Sequence, residues 1–188
     1  MIKPTLFRIL YDLRMLKLFK QFHFHYYIRE FVKPGDVVID IGAGWGCYTR
    51  IFSGLGARVF AVEPLTTNQS TEKIIWLPFA LGDKDDAGFL THWRNTSGAY
   101  KLSDTGNIAV EIKRGSKLFE YFSKINFIKI DVEESELPII KDMKELIEKH
   151  KPMILIETGF LREVLNLLPD YNILHSFQNE YLLCCPKK

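Results

Sequence analysis

A mostly parallel α/β sheet with helices on both faces is the fold class that this 188-residue chain predicts. Three observations predict it. First, "DVVID" runs straight into "IGAGWG", joining a β-branched run to a glycine-dense turn. Second, strand-like and helix-like stretches alternate from there towards the C-terminus, and repeated strand, helix, strand calls for parallel pairing with crossover helices. Third, "DVVIDI", "INFIKID" and "MILIE" are near-continuous apolar runs, as expected of strands covered on both faces.

Length and composition bound the rest. One domain's length with a hydrophobic fraction of 47% supports a single substantial core. The 25 Lys plus Arg against 23 Asp plus Glu leave a net charge of +2, without the basic excess of a dedicated nucleic-acid binder. Cys47, Cys184 and Cys185 are odd in number and two are adjacent, so they make neither a disulfide framework nor a spaced zinc set. A reducing, cytoplasmic setting is the expectation. No stretch of about 18 apolar residues and no signal peptide is read.

The elements follow in order. Leu6, Ile9, Leu10, Leu13 and Leu16 recur at helical spacing among Lys3, Arg8, Arg14, Lys17 and Lys20, with Asp12 the one acid. This is read as a helix lying on the core or on a second subunit, since Lys17 ends the apolar stripe; a membrane surface is the alternative. "HFHYYIREFV" continues as a short helix until Pro34-Gly35, so residues 1–33 form a helical cover and 34–188 the core of a single domain.

Strand "DVVIDI" leads into a helix over Gly46 to Leu55, closed by Gly54-x-Gly56, and "ARVFAVE" is the second strand. "TTNQSTEK" suffices for a minimal crossover, and "IIWLPFAL" reads as one third strand. Residues 83–110 interrupt the rhythm with "AGFLTHWRN" as an edge strand and "NIAVEI" as another. Ser116 is expected to cap a short helix through Phe122, and "INFIKID" is the next central strand. Ser135 is expected to cap one helix running to Lys151-Pro152, with Pro138 in its first turn and Ile139, Ile140, Met143, Leu146 and Ile147 facing the core. Strand "MILIE", helix "LREVLNLL", and a hairpin of "YNILHSF" and "YLLCCP" around "QNE" complete the chain.

Chemistry concentrates at the glycine turn. A dinucleotide site reads G-x-G-x-x-G, whereas Gly42, Gly44 and Gly46 read G-x-G-x-G and Cys47 stands at the dinucleotide position for the third glycine. A Walker loop needs Lys-Ser/Thr after its last glycine, and Cys47-Tyr48 follow Gly46. Asp40 beside the turn would repel a pyrophosphate and suits a ligand bearing an ammonium and a sulfonium, which S-adenosylmethionine does. Glu63, ending the second strand, is placed for ribose hydroxyls.

"KPGDVVIDIGAGWGCYTRIF", "FAVEP", "LPFALGDKDDAGFL", "INFIKIDVEESELPII" and "MILIE" resemble, in this order, the motifs of the FkbM-like S-adenosylmethionine-dependent methyltransferases, over about Ile28 to Glu157. The resemblance implies a class I methyltransferase fold: a Rossmann-like, mostly parallel seven-stranded sheet with an antiparallel last strand. It implies O-methylation of sugars, glycans or secondary metabolites. It assigns Asp40, Gly42, Gly44 and Gly46 to the cofactor's methionine end, Glu63 to the ribose, Ala80 and Leu81 to the adenine, and Asp131 to the reactive centre. Two departures stand out: Glu134 replaces the glycine usual after "DVE", and Asp142 replaces a glycine of the next helix.

For a hydroxyl acceptor the enzyme must align two reactants and remove a proton. Asp131, Glu133 and Glu157 crowd the strand ends, and alternation would put Asp131 and Glu133 on one side. They are read as a general base, an electrostatic partner of the sulfonium, or oxygen ligands of a divalent metal, though no recognised metal spacing supports the last. His92, beside Trp93 and Arg94, is a further catalytic candidate; His23 and His25 lack a third ligand, and "DKDD" lacks a calcium-loop spacing. The expected partner is a small-molecule or glycan acceptor. The alternatives are an inactive cofactor-binding regulatory module, an RNA ribose methyltransferase, and a nicotinamide oxidoreductase, which Cys47 and Asp40 disfavour.

Overall fold

The computed structural model describes residues 28–92, 100–177 and 181–187. The basic helix expected before residue 28, His23 and His25, Trp93 and Arg94, and the "QNE" hairpin tip lie outside the described residues.

Seven strands form the main sheet: β1 (Val37–Ile41), β2 (Arg58–Val62), β3 (Ile74–Leu77), β8 (Phe127–Ile130), β9 (Met153–Glu157), β10 (Tyr171–Phe177) and β11 (Tyr181–Pro186). Their spatial order is β3-β2-β1-β8-β9-β11-β10. Pairing is parallel from β3 to β9, and β11 runs antiparallel to both β9 and β10. The antiparallel last strand is thereby present as expected. Strand order reverses between β1 and β8, and ligands of open α/β sheets bind at such a switch point, outside the C-terminal strand ends.

Alternation along the strands sorts the core into two layers. Val38, Val59, Phe127, Leu155 and Leu183 meet Phe52 of helix α1 (Cys47–Gly54), together with Ile28 and Val32, on one face. On the other face Ile39, Ile41, Ile128, Ile130, Ile154 and Ile156 are covered by helices α3 (Glu136–Asp142), α4 (Lys144–His150) and α5 (Leu161–Leu167) through Ile139, Ile140, Met143, Ile147 and Val164. Among the described residues no helix is long and apolar enough to cross a membrane.

The interruption between β3 and β8 is a second sheet of β4 (Ala80–Gly82), β5 (Asp86–His92), β6 (Tyr100–Ser103) and β7 (Ile108–Arg114), ordered β4-β7-β5-β6. "IIWLPFAL" is therefore two strands rather than one. Pro78 offers no ladder donor, so β3 stops at Leu77, and Ala80–Gly82 pair with β7 instead. The expected helix from 136 to 150 is likewise two helices, broken at Met143. Ser135 occupies the N-cap position of α3 without a side-chain cap bond.

Ser116 lies inside the short helix α2 (Gly115–Leu118) rather than at its cap, because its hydroxyl is taken by Asp142. Asp142, its side chain 1% exposed, accepts from Arg114 Nε at 2.7 Å and from Ser116 N and Oγ, both at 2.8 Å. One carboxylate thus fastens the end of β7 and the start of α2 to the end of α3. Asp142→Ala should cost about 1–3 kcal/mol, since it leaves the Ser116 amide and hydroxyl without their acceptor. Urea unfolding of the variant would measure it, and a loss under about 0.5 kcal/mol, the scale of an exposed pair, would show that this joint is not structural.

Candidate functional site

The last paired positions Val62, Ile41, Ile130, Ile156 and Leu182 lie in one row across the sheet. One position beyond them come Glu63, Gly42, Asp131, Glu157 and Tyr181, so parallel pairing and one antiparallel strand bring residues from five segments to a single edge. Glu157 and Tyr181 still face each other as a registered pair.

At the glycine turn Gly42 leaves no room for a side chain: a Cβ there would lie 1.9 Å from the Asp131 carbonyl oxygen. Gly44 differs, for its φ of +52° demands glycine-like backbone while a Cβ would point into open space. Gly46, the N-cap of α1, backs onto the Trp76 ring. The Gly42 and Ala43 N–H groups both donate to Val62 O, and Gly44 N donates to Glu63 Oε2 at 2.9 Å. These donors, which a pyrophosphate would need, are already used. Glu63 also accepts from Leu65 N at 3.0 Å, which holds its half-buried carboxylate at the mouth of the turn.

Asp40 does not present its carboxylate to the cleft. It is fully buried and accepts from Thr49 Oγ1 at 2.6 Å. Its registered neighbour on β8 is Lys129, whose Nζ lies 3.3 Å from Asp40 Oδ1. The expected contact of Asp40 with a cofactor ammonium is thus replaced by an internal ion pair, because alternation turns Asp40 towards α1. Lys129, 1% exposed, also meets Asp131 Oδ2 at 3.0 Å, donates to Gly42 O at 3.3 Å, and sits 5.0 Å above the Tyr48 ring. Burial alone would push the Lys129 ammonium down, but Asp131 and Asp40 outweigh it and hold it above its ordinary value.

Asp131 keeps 29% of its side chain exposed and accepts from the Tyr181 hydroxyl at 3.3 Å. Burial works to raise its carboxyl, yet the Lys129 charge and hydrogen bonds from Glu157, Lys129 and Tyr181 hold it below the usual range. Glu157 goes the other way, pushed up to about 8 by burial and then by its hydrogen bond and repulsion with Asp131. The two carboxyls therefore differ in protonation near neutral pH, the usual arrangement for separate acid and base roles.

The other expected residues are placed differently. β8 ends at Ile130, so Glu133 leaves the strand alternation and bridges to Lys101 of β6, yet it stays near enough to Glu157 to repel its carboxylate. Glu134 adopts φ +61°, and Lys101 Nζ clasps its Oε2 at 2.8 Å. His92, exposed at the end of β5, packs its ring 4.5 Å from that of Tyr100. Leu81 is 2% exposed and packs in the core with Phe79 and Met143, so its side chain is no adenine wall; Ala80 is also buried. Among the described residues no three His, Cys, Asp or Glu side chains group as a metal site.

Sequence reasoning missed four residues here: Lys129, Tyr181, Trp76 and Glu136. A lysine inside an apolar strand was the available signal for the first; the others had none. Glu136, 4% exposed with Oε2 lacking a hydrogen-bond partner, is pushed up to about 7 by burial, with Glu133 and Asp131 adding repulsion. A raised carboxyl binds its proton more tightly in the native state, so its favourable contribution is lost as pH rises from about 4.5, its unfolded value, through about 7. Glu136→Gln should thus gain stability relative to wild type between pH 5 and pH 8 in urea titrations. A constant difference across that window would remove the assignment.

Comparison with known proteins agrees with this architecture. Residues 36–175 match the methyltransferase FkbM domain. Among solved structures, an FkbM methyltransferase from Methylobacillus flagellatus KT superposes with a TM-score of 0.54 at 17% identity, over 85% of this chain and 49% of that one. This chain thus spans about half the length of that relative. A candidate rRNA-methylase from Clostridium thermocellum gives a TM-score of 0.50 at 15% identity, covering 89% and 95%. The precorrin-6y C5,15-methyltransferase of Geobacter metallireducens GS-15 gives 0.50 at 12%, covering 92% of each. No curated protein matches the chain. With three quarters of its length matched, and with the sheet order and glycine turn described above, the chain belongs to the FkbM methyltransferase domain family.

Proposed function

We propose that this chain transfers the methyl group of S-adenosylmethionine to a hydroxyl of a sugar, glycan or secondary metabolite. The observation that carries the reading is the carboxyl pair of Asp131 and Glu157 at the strand ends, with Asp131 against the glycine turn. It supplies anionic surroundings and a group able to take a hydroxyl's proton at one place.

The residues present fit the cofactor. Gly44 leaves an open cradle, Glu63 offers both carboxylate oxygens once it exchanges its bonds to Gly44 and Leu65 for ribose hydroxyls, and the Gly42 and Ala43 amides, spent on Val62 O, disfavour a dinucleotide. When bound, S-adenosylmethionine supplies an electrophilic methyl on a sulfonium. The chain's part is to orient it and the acceptor. Lys129 acts underneath as a positioning residue, holding Asp131 ionised and pinning it to Asp40 and Gly42 O. The second sheet, joined to the post-β8 loop by Lys101, Glu133 and Glu134, is the surface on which acceptor selection is expected. Because Glu134 is held by Lys101 in the left-handed conformation a glycine would adopt, the departure at this position is accommodated and gives no support to an inactive module.

Incubation with methyl-labelled S-adenosylmethionine and panels of sugars, glycans and polyols tests the reading: label should appear in methyl ethers. Transfer confined to nitrogen or to RNA would replace it. Calorimetry should show binding of S-adenosylmethionine and S-adenosylhomocysteine without NAD, and Glu63→Ala should weaken both by about 10- to 100-fold through two lost charge-assisted hydrogen bonds. Gly44→Ala and Gly42→Ala should part company. The first is expected to cost about 1–2 kcal/mol of stability for its left-handed backbone and to abolish cofactor binding. The second should not fold, since its methyl would overlap the Asp131 carbonyl. Normal binding by Gly44→Ala would move the cofactor away from the turn.

A further inference from the structure

The strand-end carboxyls carry a charge balance that the reading above leaves unused. Asp40, Asp131 and Glu157 share one buried ammonium, Lys129, which touches the first two. Among the described residues no cation pairs with Glu157. The groups that act on it, among the described residues, are Asp131 just beyond β8, Glu133 from the following loop, Tyr181 across β11 and Tyr48 from α1, while Lys129 and Asp40 stand behind Asp131. Both tyrosine hydroxyls are raised by burial and stay neutral. With every carboxylate of the trio ionised, this inner cluster holds three negative charges against one positive; with Glu157 protonated it holds two against one.

The geometry adds a path. Glu157 and Asp131 end neighbouring registered strands, Tyr181 stands opposite Glu157 and donates to Asp131 Oδ2 at 3.3 Å, and the Asp131 carbonyl is pressed against Gly42 of the turn. Asp131 is thus fixed on three sides, by Lys129, Tyr181 and Glu157, and is spent as a proton acceptor. Half-buried Glu157 is the member able to change state.

We propose that Asp131 and Glu157 are a proton-sharing pair armed by the charge of the cofactor: arrival of the sulfonium releases the Glu157 proton, and the freed carboxylate receives the acceptor's proton during transfer. This rests on the S-adenosylmethionine-dependent O-methylation proposed above. The cycle balances. The acceptor oxygen forms a bond to the methyl carbon, the sulfur–carbon bond breaks with its electron pair staying on sulfur, and the hydroxyl proton passes to Glu157. The product thioether is neutral, so the pair is left in its starting protonation state. Substrate binding thereby makes the base, and product formation unmakes it.

Proton counting by calorimetry tests this without an acceptor. S-adenosylmethionine and S-adenosylhomocysteine are titrated at pH 7.5 in phosphate and in Tris, whose ionisation heats differ. Wild type should release about half a proton more than Glu157→Gln on binding the sulfonium ligand, and no more than that variant on binding the thioether. Asp131→Asn, which removes the hydrogen bond and repulsion that add to burial in keeping Glu157 protonated, should reduce the same release and serves if Glu157→Gln fails to fold. Equal proton counts for wild type and variants with S-adenosylmethionine would overturn the pair while leaving the methyltransferase reading intact. Binding of neither ligand would overturn both.

Discussion

A lysine buried in the protein interior has to be matched, and Lys129 organises the site because of that requirement. Its ammonium sits between Asp40 on β1 and Asp131 beyond β8, over the Tyr48 ring, and donates to the Gly42 carbonyl. An unpaired buried charge costs several kcal/mol, so these four groups are mutually constrained. The constraint fixes the separation of the two central strand ends, the entry of α1 through Thr49 and Tyr48, and the carbonyl that begins the glycine turn. Hydrophobic burial of the isoleucines on the other face supplies most of the driving force, but it would tolerate small shifts that the ion pairs do not.

That arrangement also bears on the proposed ligand. A glycine turn is open to several phosphates and nucleosides on sequence grounds. Here Val62 O takes two of its amides and Glu63 a third, leaving an edge that is more acceptor than donor. Beside it stand Asp131 and Glu157. Such an edge favours cationic centres over phosphates.

The two departures from the family's glycine pattern have a common resolution. Glu134 adopts a left-handed backbone, the conformation that glycine favours, and Lys101 of β6 holds it. Asp142 replaces the other glycine and is gripped by Arg114 of β7 and by Ser116. Both cationic partners belong to the second sheet, so the substitutions tie that sheet to the loop after β8 and to the end of α3. The second sheet is thereby fastened by two ion pairs.

Sheet class, the main-sheet strands and the glycine turn were legible in order along the chain, because strand burial, helix periodicity and turn chemistry are local; Tyr100–Ser103 of β6 was not read as a strand. Local signals also predicted one strand for "IIWLPFAL" and one helix for 136–150, where Pro78 and the Asp142 anchor decided otherwise. The sequence by itself determined which residues reach the ends of strands. Tertiary structure alone decided which of them meet. Asp40 reads as a ligand contact from spacing but pairs with Lys129, 89 residues later, because register sets them side by side on the α1 face. Tyr181 reaches Asp131 across 50 residues because β11 inserts antiparallel beside β9. Ionisation follows the same division: a carboxyl's charge depends on neighbours brought by other strands, and no stretch of one strand specifies them.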